Sequence, residues 1–359
     1  MTVTSPTQKP NVLITGSTGL IGKRLQQGLK DYYRLIGLDV KPPKKPVPDV
    51  DFISCDLTDD ASVKHALREV KTLTEGRLAS VAHLAAFYDF AGDPSPLYEQ
   101  LTVQGTRRLV RGFQDIEMEV GQLIFSSSLL VMQPAEEEQG PITEVSPTSA
   151  AWAYPESKLR AEEVLRDERD GVPVVILRIA GVYDEEGHSL PLGQQIKRIH
   201  EKSIESFLFP GDKSHGQPFV HLDDLVDCFH KVITRRQALQ PFELFLVAEP
   251  DIMSYEELQE ELGRLIHGHE WPAIRIPKSV AKAGAAARKK LSKEEQFIKP
   301  WMIDLADAHY PVDIQRAHER LGWNPRHRLR GTLGAIVENL TRDPERWYKQ
   351  NGLTPPDTR

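Results

Sequence analysis

Short apolar runs alternate with longer amphipathic stretches along the first 250 residues of the chain. The runs carry apolar side chains on both faces, which is typical of strands buried between two layers of helices. They lie at 11–15, 34–39, 50–55, 80–86, 121–127 and 173–179. Helical patterns lie between them, at 20–31, 59–70, 97–113 and 154–168. This alternation predicts a parallel sheet with right-handed helical crossovers.

The alternation changes after residue 180. Loop-like segments at 184–193 and 210–218 flank a predicted helix near 192–202, and strand–helix–strand patterns return at 219–233 and 242–248. The rest of the chain is mostly helical with proline interruptions. We therefore predict an α/β fold, with a doubly wound parallel sheet and a smaller, mainly helical C-terminal domain. The predicted divisions are 10–182 with 219–250 for the sheet domain, 183–218 with 251–345 for the helical domain, and 1–9 and 346–359 for flexible termini.

Composition and charge exclude several classes of protein. The chain has 359 residues, of which 40% are hydrophobic, and its formal net charge is -7. A net negative charge argues against a nucleic-acid partner, because such binding needs a basic surface. The N-terminus does not resemble a signal peptide, and no apolar run approaches the ~20 residues of a spanning helix. Cys55 and Cys228 lack metal-ligand spacing. We predict a cytoplasmic protein without a nucleic-acid partner, a membrane segment or a metal.

A glycine-rich turn follows the first strand. Gly16, Gly19 and Gly22 lie in 15-TGSTGLIG-22, between the strand and the next helix. Such a turn lets the backbone and the helix N-terminus approach a pyrophosphate. Asp39 ends the second strand, where a carboxylate accepts hydrogen bonds from an adenosine ribose and repels a 2′-phosphate. These features predict a dinucleotide site and favour NAD over NADP.

Two details of this dinucleotide site stay open. Three lysines close after Asp39 keep NADP as an alternative, and they are Lys41, Lys44 and Lys45. Asp56, at the end of the third strand, is consistent either with an adenine contact or with a cap of the next helix.

Tyr154 and Lys158 lie four residues apart in 154-YPESK-158 and so share one face of a helix. Pro155 is tolerated only in the first turn of that helix, because proline lacks the N–H that a helix interior uses. An ammonium near a phenol favours the phenolate and lowers its pKa. The pair therefore predicts an acid/base group that works near neutral pH.

Several motifs in order resemble those of the extended short-chain dehydrogenases/reductases, also called the NAD-dependent epimerase/dehydratase family. They are TGSTGLIG at 15–22, HLAA at 83–86, SSS at 126–128, YPESK at 154–158 and FVHLDDL at 219–225. The resemblance implies a Rossmann domain, a small C-terminal substrate domain and a catalytic set of Ser128, Tyr154 and Lys158. It also implies a homodimer formed through the helices at 97–113 and 154–168.

The same resemblance implies which side chains contact the cofactor and the substrate. The implied cofactor residues are Gly16, Thr18, Gly19, Leu20, Ile21, Gly22, Asp39, Asp56, Leu57, Leu84, Ala85, Ala86, Ser126, Tyr154 and Lys158. The implied substrate residues are Tyr88, Ser128, Gly181 and Tyr183.

Departures from the family pattern narrow the function. Leu129 and Leu130 replace the acids that support elimination of water in family dehydratases, so dehydration is disfavoured. Gly181 and Gln217 stand where nucleotide-sugar epimerases of the family place a phosphate-binding asparagine and arginine. A nucleotide-sugar substrate is therefore less favoured. Basic residues elsewhere that could supply the missing charge are Lys197, Arg198 and Lys213.

The function predicted from these observations is an NAD(P)-dependent oxidoreductase. It would act on a hydroxyl or carbonyl of a small organic or sugar-like substrate, with Tyr154 as the acid/base and hydride transfer to or from nicotinamide C4. One alternative is an NAD-dependent nucleotide-sugar epimerase that uses the same residues. A second alternative is a non-catalytic NAD-binding protein, which would need only the glycine loop.

Overall fold

A computed structural model describes residues 9–356 of the chain, except 90–91, 137–139, 292–299 and 305. Its centre is a seven-stranded parallel sheet in the order β7–β6–β5–β4–β1–β2–β3. The strands are β1 Asn11–Thr15, β2 Arg34–Asp39, β3 Val50–Ser54, β4 Ser80–His83, β5 Leu123–Ser128, β6 Val174–Ile179 and β7 Phe242–Val247. The predicted parallel sheet is confirmed.

Helices cover both faces of the sheet and build the C-terminal part. They are α1 Leu20–Leu29, α2 Asp60–Leu73, α3 Gln104–Asp115, α4 Ala153–Glu168, α5 Leu190–His200, α6 Leu222–Thr234, α7 Tyr255–His267, α8 Lys278–Leu291, α9 Pro300–Asp304, α10 Gln315–Leu321, α11 Leu329–Arg342 and α12 Pro344–Gln350. A π-helical turn, Tyr98–Val103, leads into α3. None of the helices in the described part of the chain is long and apolar enough to cross a membrane.

Three short strand pairs lie outside the central sheet. Gly181–Tyr183 pairs with Phe219–His221, and Leu208–Pro210 pairs with Ile274–Ile276. Arg77–Leu78 pairs with Glu119–Val120. In the first pair, Gly181–Tyr183 follows β6 and Phe219–His221 leads into α6. The pair therefore connects the carboxyl end of β6 with α6.

The strand order reverses direction beside β1. The chain runs outward from β1 to β2 and β3, then returns to β4 on the other side of β1. Thr15, at the carboxyl end of β1, is level with Leu38 in β2 and His83 in β4. The loops that follow these strands therefore meet at one edge of the sheet. Ligands of doubly wound sheets bind at such a reversal.

Apolar side chains of β1 point alternately to the two faces of the sheet, as the period of a strand requires. Val12 and Ile14 pack in a cluster with residues of α1 and α6, whereas Leu13 packs in a second cluster with residues of α2 and α3. All three side chains have no exposed surface. Burial on both faces explains why the strands appear in the sequence as continuous apolar runs.

A third hydrophobic cluster lies among the C-terminal helices. It includes residues from the first half of the segment 346–359, which the sequence predicts to be a flexible terminus. Trp347 and Tyr348 in α12 are at most 1% exposed, and Leu353 is buried beside them. They pack against α5, α7 and α11. The sequence of this segment is mostly polar, so one buried face of a short helix is easily missed. The assignment of 346–359 to a flexible terminus is wrong for 346–353.

The segment 310–323 also departs from the predicted domain division, which assigns it to the helical domain. Trp323 is fully buried in the cluster formed by the sheet, α1 and α6. Arg316 and Arg320 in α10 form ion pairs with Glu243 in β7, at 2.5 and 2.9 Å. This segment therefore packs on the sheet instead of on the helical part. The remaining domain boundaries stay predictions.

Candidate active site

The glycine loop after β1 is too crowded for larger residues at two positions. Gly16 has a φ of +67°, and a Cβ there would lie 2.9 Å from the Ala85 nitrogen. A Cβ on Gly22 would lie 2.4 Å from the Gly16 carbonyl oxygen and 2.7 Å from Ser17 Cα. Real Cβ atoms do not approach backbone so closely. The loop therefore needs glycine at both positions to fold tightly against β4 and α1.

The N-terminus of α1 opens into a cavity beside this loop. Gly19 is the N-cap of α1, and its lack of a side chain leaves the first N–H groups of the helix without a side-chain cap. Asp39 Oδ2 accepts hydrogen bonds from the Thr18 backbone N–H at 3.0 Å and from Thr18 Oγ1 at 2.9 Å. The carboxylate thus fixes the loop. Uncapped N–H groups at a helix N-terminus suit a pyrophosphate, so these residues fit a dinucleotide.

The predicted Ser–Tyr–Lys set comes together at the end of β5 and the start of α4. The Ser128 hydroxyl lies close enough to the Tyr154 phenol to lower its pKa. Lys158 Nζ donates to the Ser126 carbonyl oxygen at 2.7 Å and lies 5.8 Å from the centre of the Tyr154 ring. Pro155 lies in the first turn of α4, as its missing N–H requires. The structure therefore brings the three side chains into one group.

The charge balance of this group differs from the expectation. Burial raises the pKa of Tyr154 to about 12, and the hydrogen bond from Ser128 only partly opposes this shift. Burial lowers the pKa of Lys158 to about 7, and the nearby Glu162 carboxylate opposes that shift. Burial disfavours the charged form of both groups. Burial therefore shifts the pKa of Tyr154 in the direction opposite to the one expected from Lys158, and the effect of Lys158 on the phenol stays a prediction.

The lowered pKa of Lys158 predicts a pH-dependent stability. Between pH 7 and 10.5 the unfolded chain holds the lysine proton that the folded chain has lost, so stability rises with pH, by at most about 1.4 kcal/mol per pH unit. Lys158→Met removes this contribution. We expect the difference in the free energy of unfolding, wild type minus variant, to increase across this range in urea titrations of the cofactor-free protein.

A matched control separates burial from the loss of a charge as such. Lys64 lies at an exposed position of α2. Lys64→Met should leave the difference from wild type constant over the same pH range. A constant difference for Lys158→Met as well would show that Lys158 keeps its ordinary protonation in the folded protein.

A buried ion pair lies behind Lys158. Arg178 in β6 donates to Glu162 in α4 from Nη2 at 2.7 Å and from Nε at 3.2 Å, and the two side chains are 6% and 5% exposed. Ser127 Oγ donates to the same carboxylate at 2.5 Å. Glu162 follows Lys158 by one helical turn. This pair ties α4 to the sheet directly beneath the Ser–Tyr–Lys group. Sequence reasoning did not predict it, since its partners are 16 residues apart on two elements.

A cavity of about 1060 Å³ connects the glycine loop with the Ser–Tyr–Lys group. Beyond them its wall is mainly apolar, with Trp152, Phe209, Val280 and Met302 among its residues. The predicted site residues that line it are Gly16, Gly19, Leu20, Ile21, Gly22, Leu84, Ala86, Tyr88, Ser126, Ser128, Tyr154, Lys158 and Gly181. Tyr88 contacts Tyr154 edge to face, with ring centres 4.9 Å apart. The contacts of these residues with ligands stay predictions.

Two predicted site residues are buried away from the cavity. The Tyr183 side chain has no exposed surface, and its ring packs edge to face against Phe219 and His221. Leu57 is 3% exposed and packs against Gly105 of α3. Both residues belong to apolar segments whose side chains pack into the hydrophobic core. The prediction that Tyr183 contacts substrate is wrong, as is a cofactor contact by the Leu57 side chain.

Four other predicted cofactor residues do not form part of the cavity lining, and they are Thr18, Asp39, Asp56 and Ala85. Asp56 Oδ1 accepts from the Thr58 N–H and from Thr58 Oγ1, at 2.8 and 2.7 Å. The cap of α2 is Asp59, whose side chain accepts from the Ser62 N–H. The alternative that Asp56 caps this helix is therefore wrong, and its adenine contact stays a prediction.

Sequence reasoning gave no site role to several side chains of the cavity. Trp152 precedes α4, and Tyr255 begins α7. Gln194 and Arg198 lie one turn apart on α5. Of these, only Arg198 carried a signal, as one of three basic residues that could replace a missing charge. Lys197 instead donates to the Thr354 carbonyl, outside the cavity lining.

Comparison with known proteins assigns the chain to a family. The model of the NAD dependent epimerase/dehydratase family matches residues 12–248, from β1 to the end of β7. The chain belongs to this family. It is accordingly an NAD-dependent enzyme of the extended short-chain dehydrogenase/reductase group. The fold class, the enzyme class and the NAD cofactor predicted from the sequence are confirmed.

Proteins from a fungus and from two bacteria are similar to this chain over most of its length. Sterol-4-alpha-carboxylate 3-dehydrogenase, decarboxylating, of Candida albicans is 28% identical, over 93% of this chain and 98% of that protein. UDP-glucose 4-epimerase of Vibrio cholerae is 25% identical, over 88% and 90%. The crystal structure of the Bordetella bronchiseptica enzyme WbmG, in complex with NAD and UDP, has a TM-score of 0.68 and 19% identity over 97% of both chains. The names of the first two enzymes state different substrates.

Proposed function

We propose that this family member is an NAD-dependent dehydrogenase or reductase of a bulky, mainly apolar alcohol or ketone. The observation that carries the proposal is that Ser128, Tyr154 and Lys158 line the same cavity as the glycine loop, and that the rest of its wall is mainly apolar. When bound, NAD supplies the acceptor or donor of hydride at its nicotinamide ring. The protein supplies orientation and proton transfer.

Tyr154 is the group that exchanges the substrate proton. A phenol with a raised pKa is protonated at neutral pH and ready to donate to a substrate carbonyl oxygen. The reverse reaction needs a phenolate, which the ammonium form of Lys158 stabilises through space. Ser128 holds the tyrosine hydroxyl in place and offers a second hydrogen bond to the substrate oxygen.

The apolar wall and one relative support the same substrate class. Side chains such as Trp152, Phe209 and Met302 bury apolar surface favourably but offer few hydrogen bonds to a sugar. The name of the Candida albicans relative states that it acts on a sterol carboxylate. A bulky ring system with one reacting hydroxyl fits both observations.

A nucleotide-sugar epimerase is the second candidate, favoured by the similarity to the Vibrio cholerae epimerase. The two positions that departed from epimerases in sequence offer no charge in the structure either. Gly181 contributes only backbone to the cavity, and Gln217 donates its amide to the Ala308 carbonyl at 3.3 Å. Hydrogen bonds from a charged donor are roughly twice as strong as neutral ones, so a diphosphate would be held weakly there.

Absorbance of NADH distinguishes the candidates. The enzyme and NAD are incubated together in separate reactions. Each reaction contains either one alcohol from a panel of apolar secondary alcohols, which includes 3-hydroxysterols, or UDP-glucose. We expect NADH to accumulate with an apolar alcohol and not with UDP-glucose. Conversion of UDP-glucose to its 4-epimer without net NADH would establish the epimerase. NAD binding without turnover of either class would leave a non-catalytic NAD-binding protein.

We also propose a cytoplasmic location, as the composition and the N-terminal sequence suggest, and a homodimer formed through α3 and α4, as the family resemblance implies. The two helices lie side by side in one chain, where Arg107 and Arg111 of α3 form ion pairs with Glu168 of α4 at 2.7 and 2.8 Å. Light scattering after size-exclusion chromatography measures the assembly directly. A mass near 40.5 kDa would contradict the dimer.

A further inference from the structure

Arg198 carries a positive charge in the wall of the cavity, without an ion-pair partner among the described residues. It lies on α5 among the cavity-lining residues and is partly buried. Its guanidinium forms no hydrogen bond or ion pair with any other residue that the structure describes. Other basic side chains of the lining are paired, since Lys158 bonds the Ser126 carbonyl and His188 bonds Asp184 at 2.8 Å. An unpaired guanidinium in apolar surroundings loses hydration without compensation.

Two further polar side chains face the cavity beside Arg198. Gln194 precedes it by one turn on the same face of α5. Burial raises the pKa of Tyr255, and the positive charge of Arg198 opposes this shift, so the phenol lies within range of the guanidinium. Neither side chain forms a hydrogen bond within the described chain. The Tyr255 ring stacks on Phe209, with ring centres 3.7 Å apart, which fixes its orientation.

The carboxylates nearest in sequence leave Arg198 unpaired. Glu201 lies 3.7 Å from Lys197 Nζ. Glu205 lines the same cavity and has interactions of its own, and no ion pair joins it to Arg198. The described residues therefore leave the positive charge available to a ligand. Its guanidinium presents several N–H donors in one plane, the geometry that binds a carboxylate or phosphate with two hydrogen bonds.

We infer that Arg198, assisted by Gln194 and Tyr255, binds an anionic group of the substrate, a carboxylate or a phosphate carried on an apolar body. The inference rests on the proposed function for the reaction itself and adds the chemical class of the substrate. The apolar wall takes up the body of the molecule, and the charged group selects among molecules with similar bodies. Arg198 is then the residue that determines specificity.

The test is a direct binding measurement that needs no turnover. Calorimetry of the NAD-loaded protein is performed with three probes of equal chain length: decanoate, decyl phosphate and 1-decanol. We expect at least one anionic probe to bind about tenfold more tightly than decanol or better. Arg198→Met should remove that preference and leave decanol affinity within about twofold, whereas Arg198→Lys should restore part of it.

The control and the outcomes keep this inference separate from the proposed reaction. Lys197→Met removes a neighbouring charge that contacts Thr354 and Glu201 outside the cavity, and it should leave all three affinities unchanged. A preference for decanoate or for decyl phosphate identifies the anion. Equal affinities for the three probes, or an anion preference that survives in Arg198→Met, would overturn the inference. Failure of the proposed function appears instead as absence of NADH with every alcohol, whatever the binding result.

Discussion

Tyr154→Phe is expected to lower turnover by about 10²- to 10⁴-fold while leaving NAD affinity nearly unchanged. The substitution removes only the hydroxyl that exchanges the substrate proton, and Ser128 then has no phenol to position. The ring stays in place against Tyr88, and Lys158 keeps its hydrogen bond to the Ser126 carbonyl. Steady-state rates at saturating substrate, together with NAD titrations, measure the two effects separately.

The matched control is Tyr33→Phe. Tyr33 is another largely buried tyrosine, on the face of the sheet that α1 and α6 cover. Its hydroxyl lies 3.2 Å from His230 Nδ1. Loss of the Tyr33 hydroxyl should lower the free energy of unfolding slightly. It should change turnover by no more than about twofold, because the hydroxyl does not line the cavity. Turnover by Tyr154→Phe at the wild-type rate would remove the tyrosine from the mechanism and, with it, the proposed role of Ser128.

Arg178→Met is expected to give the largest loss of stability, about 3–5 kcal/mol in the free energy of unfolding. The change leaves the Glu162 carboxylate buried, with the Ser127 hydroxyl as its remaining hydrogen-bond donor among the described residues. A buried charge without its counterion costs most of the desolvation energy that the pair had offset. Urea unfolding at neutral pH measures the loss.

Two comparisons show whether burial causes this effect. The double variant Arg178→Met, Glu162→Met removes both charges and should recover most of the lost stability. Arg111→Met breaks an ion pair with Glu168, but the Arg111 side chain is 61% exposed, so the expected cost is only about 0.2–1 kcal/mol. A loss of the same size for Arg111→Met and Arg178→Met would contradict the argument, as would a double variant that is no more stable than Arg178→Met alone.

The buried pair also bears on the active site through α4. Glu162 is the carboxylate that raises the pKa of Lys158 against the effect of burial. Removing its charge leaves burial to act alone on the ammonium. The double variant is therefore expected to be stable but to hold Lys158 in its neutral form to lower pH than wild type does. The stability and the chemistry of this helix depend on the same carboxylate.

Local sequence patterns were sufficient for the elements that hold the site. Strands β1 and β2 begin and end at the predicted residues, because continuous apolar runs between turn residues are a strong signal for a strand buried on both faces. Gly16 and Gly22 are required by contacts within a single strand–turn–helix unit. Tyr154 and Lys158 are neighbours because the α-helix period makes them so.

Residues whose environment comes from distant parts of the chain were predicted less well. Tyr183 was expected in the substrate site, but a partner strand, Phe219–His221, and the C-terminal helices bury it. Trp347 and Tyr348 lie in a segment that looks polar, and only packing against α5, α7 and α11 makes them core residues. Burial depends on which surfaces meet, and the local pattern carries little information about that.

The sequence by itself determined the α/β fold and the dinucleotide loop and predicted the proton-transfer group, because each depends on short-range geometry that a few residue types enforce. Only the tertiary structure decided the pKa shifts of Tyr154 and Lys158, the ion pair beneath them and the lack of a partner for Arg198 among the described residues. Those properties depend on desolvation and on partners contributed by separate helices and strands. Electrostatic energies in a cavity follow from its complete surroundings, which exist only once the chain has folded.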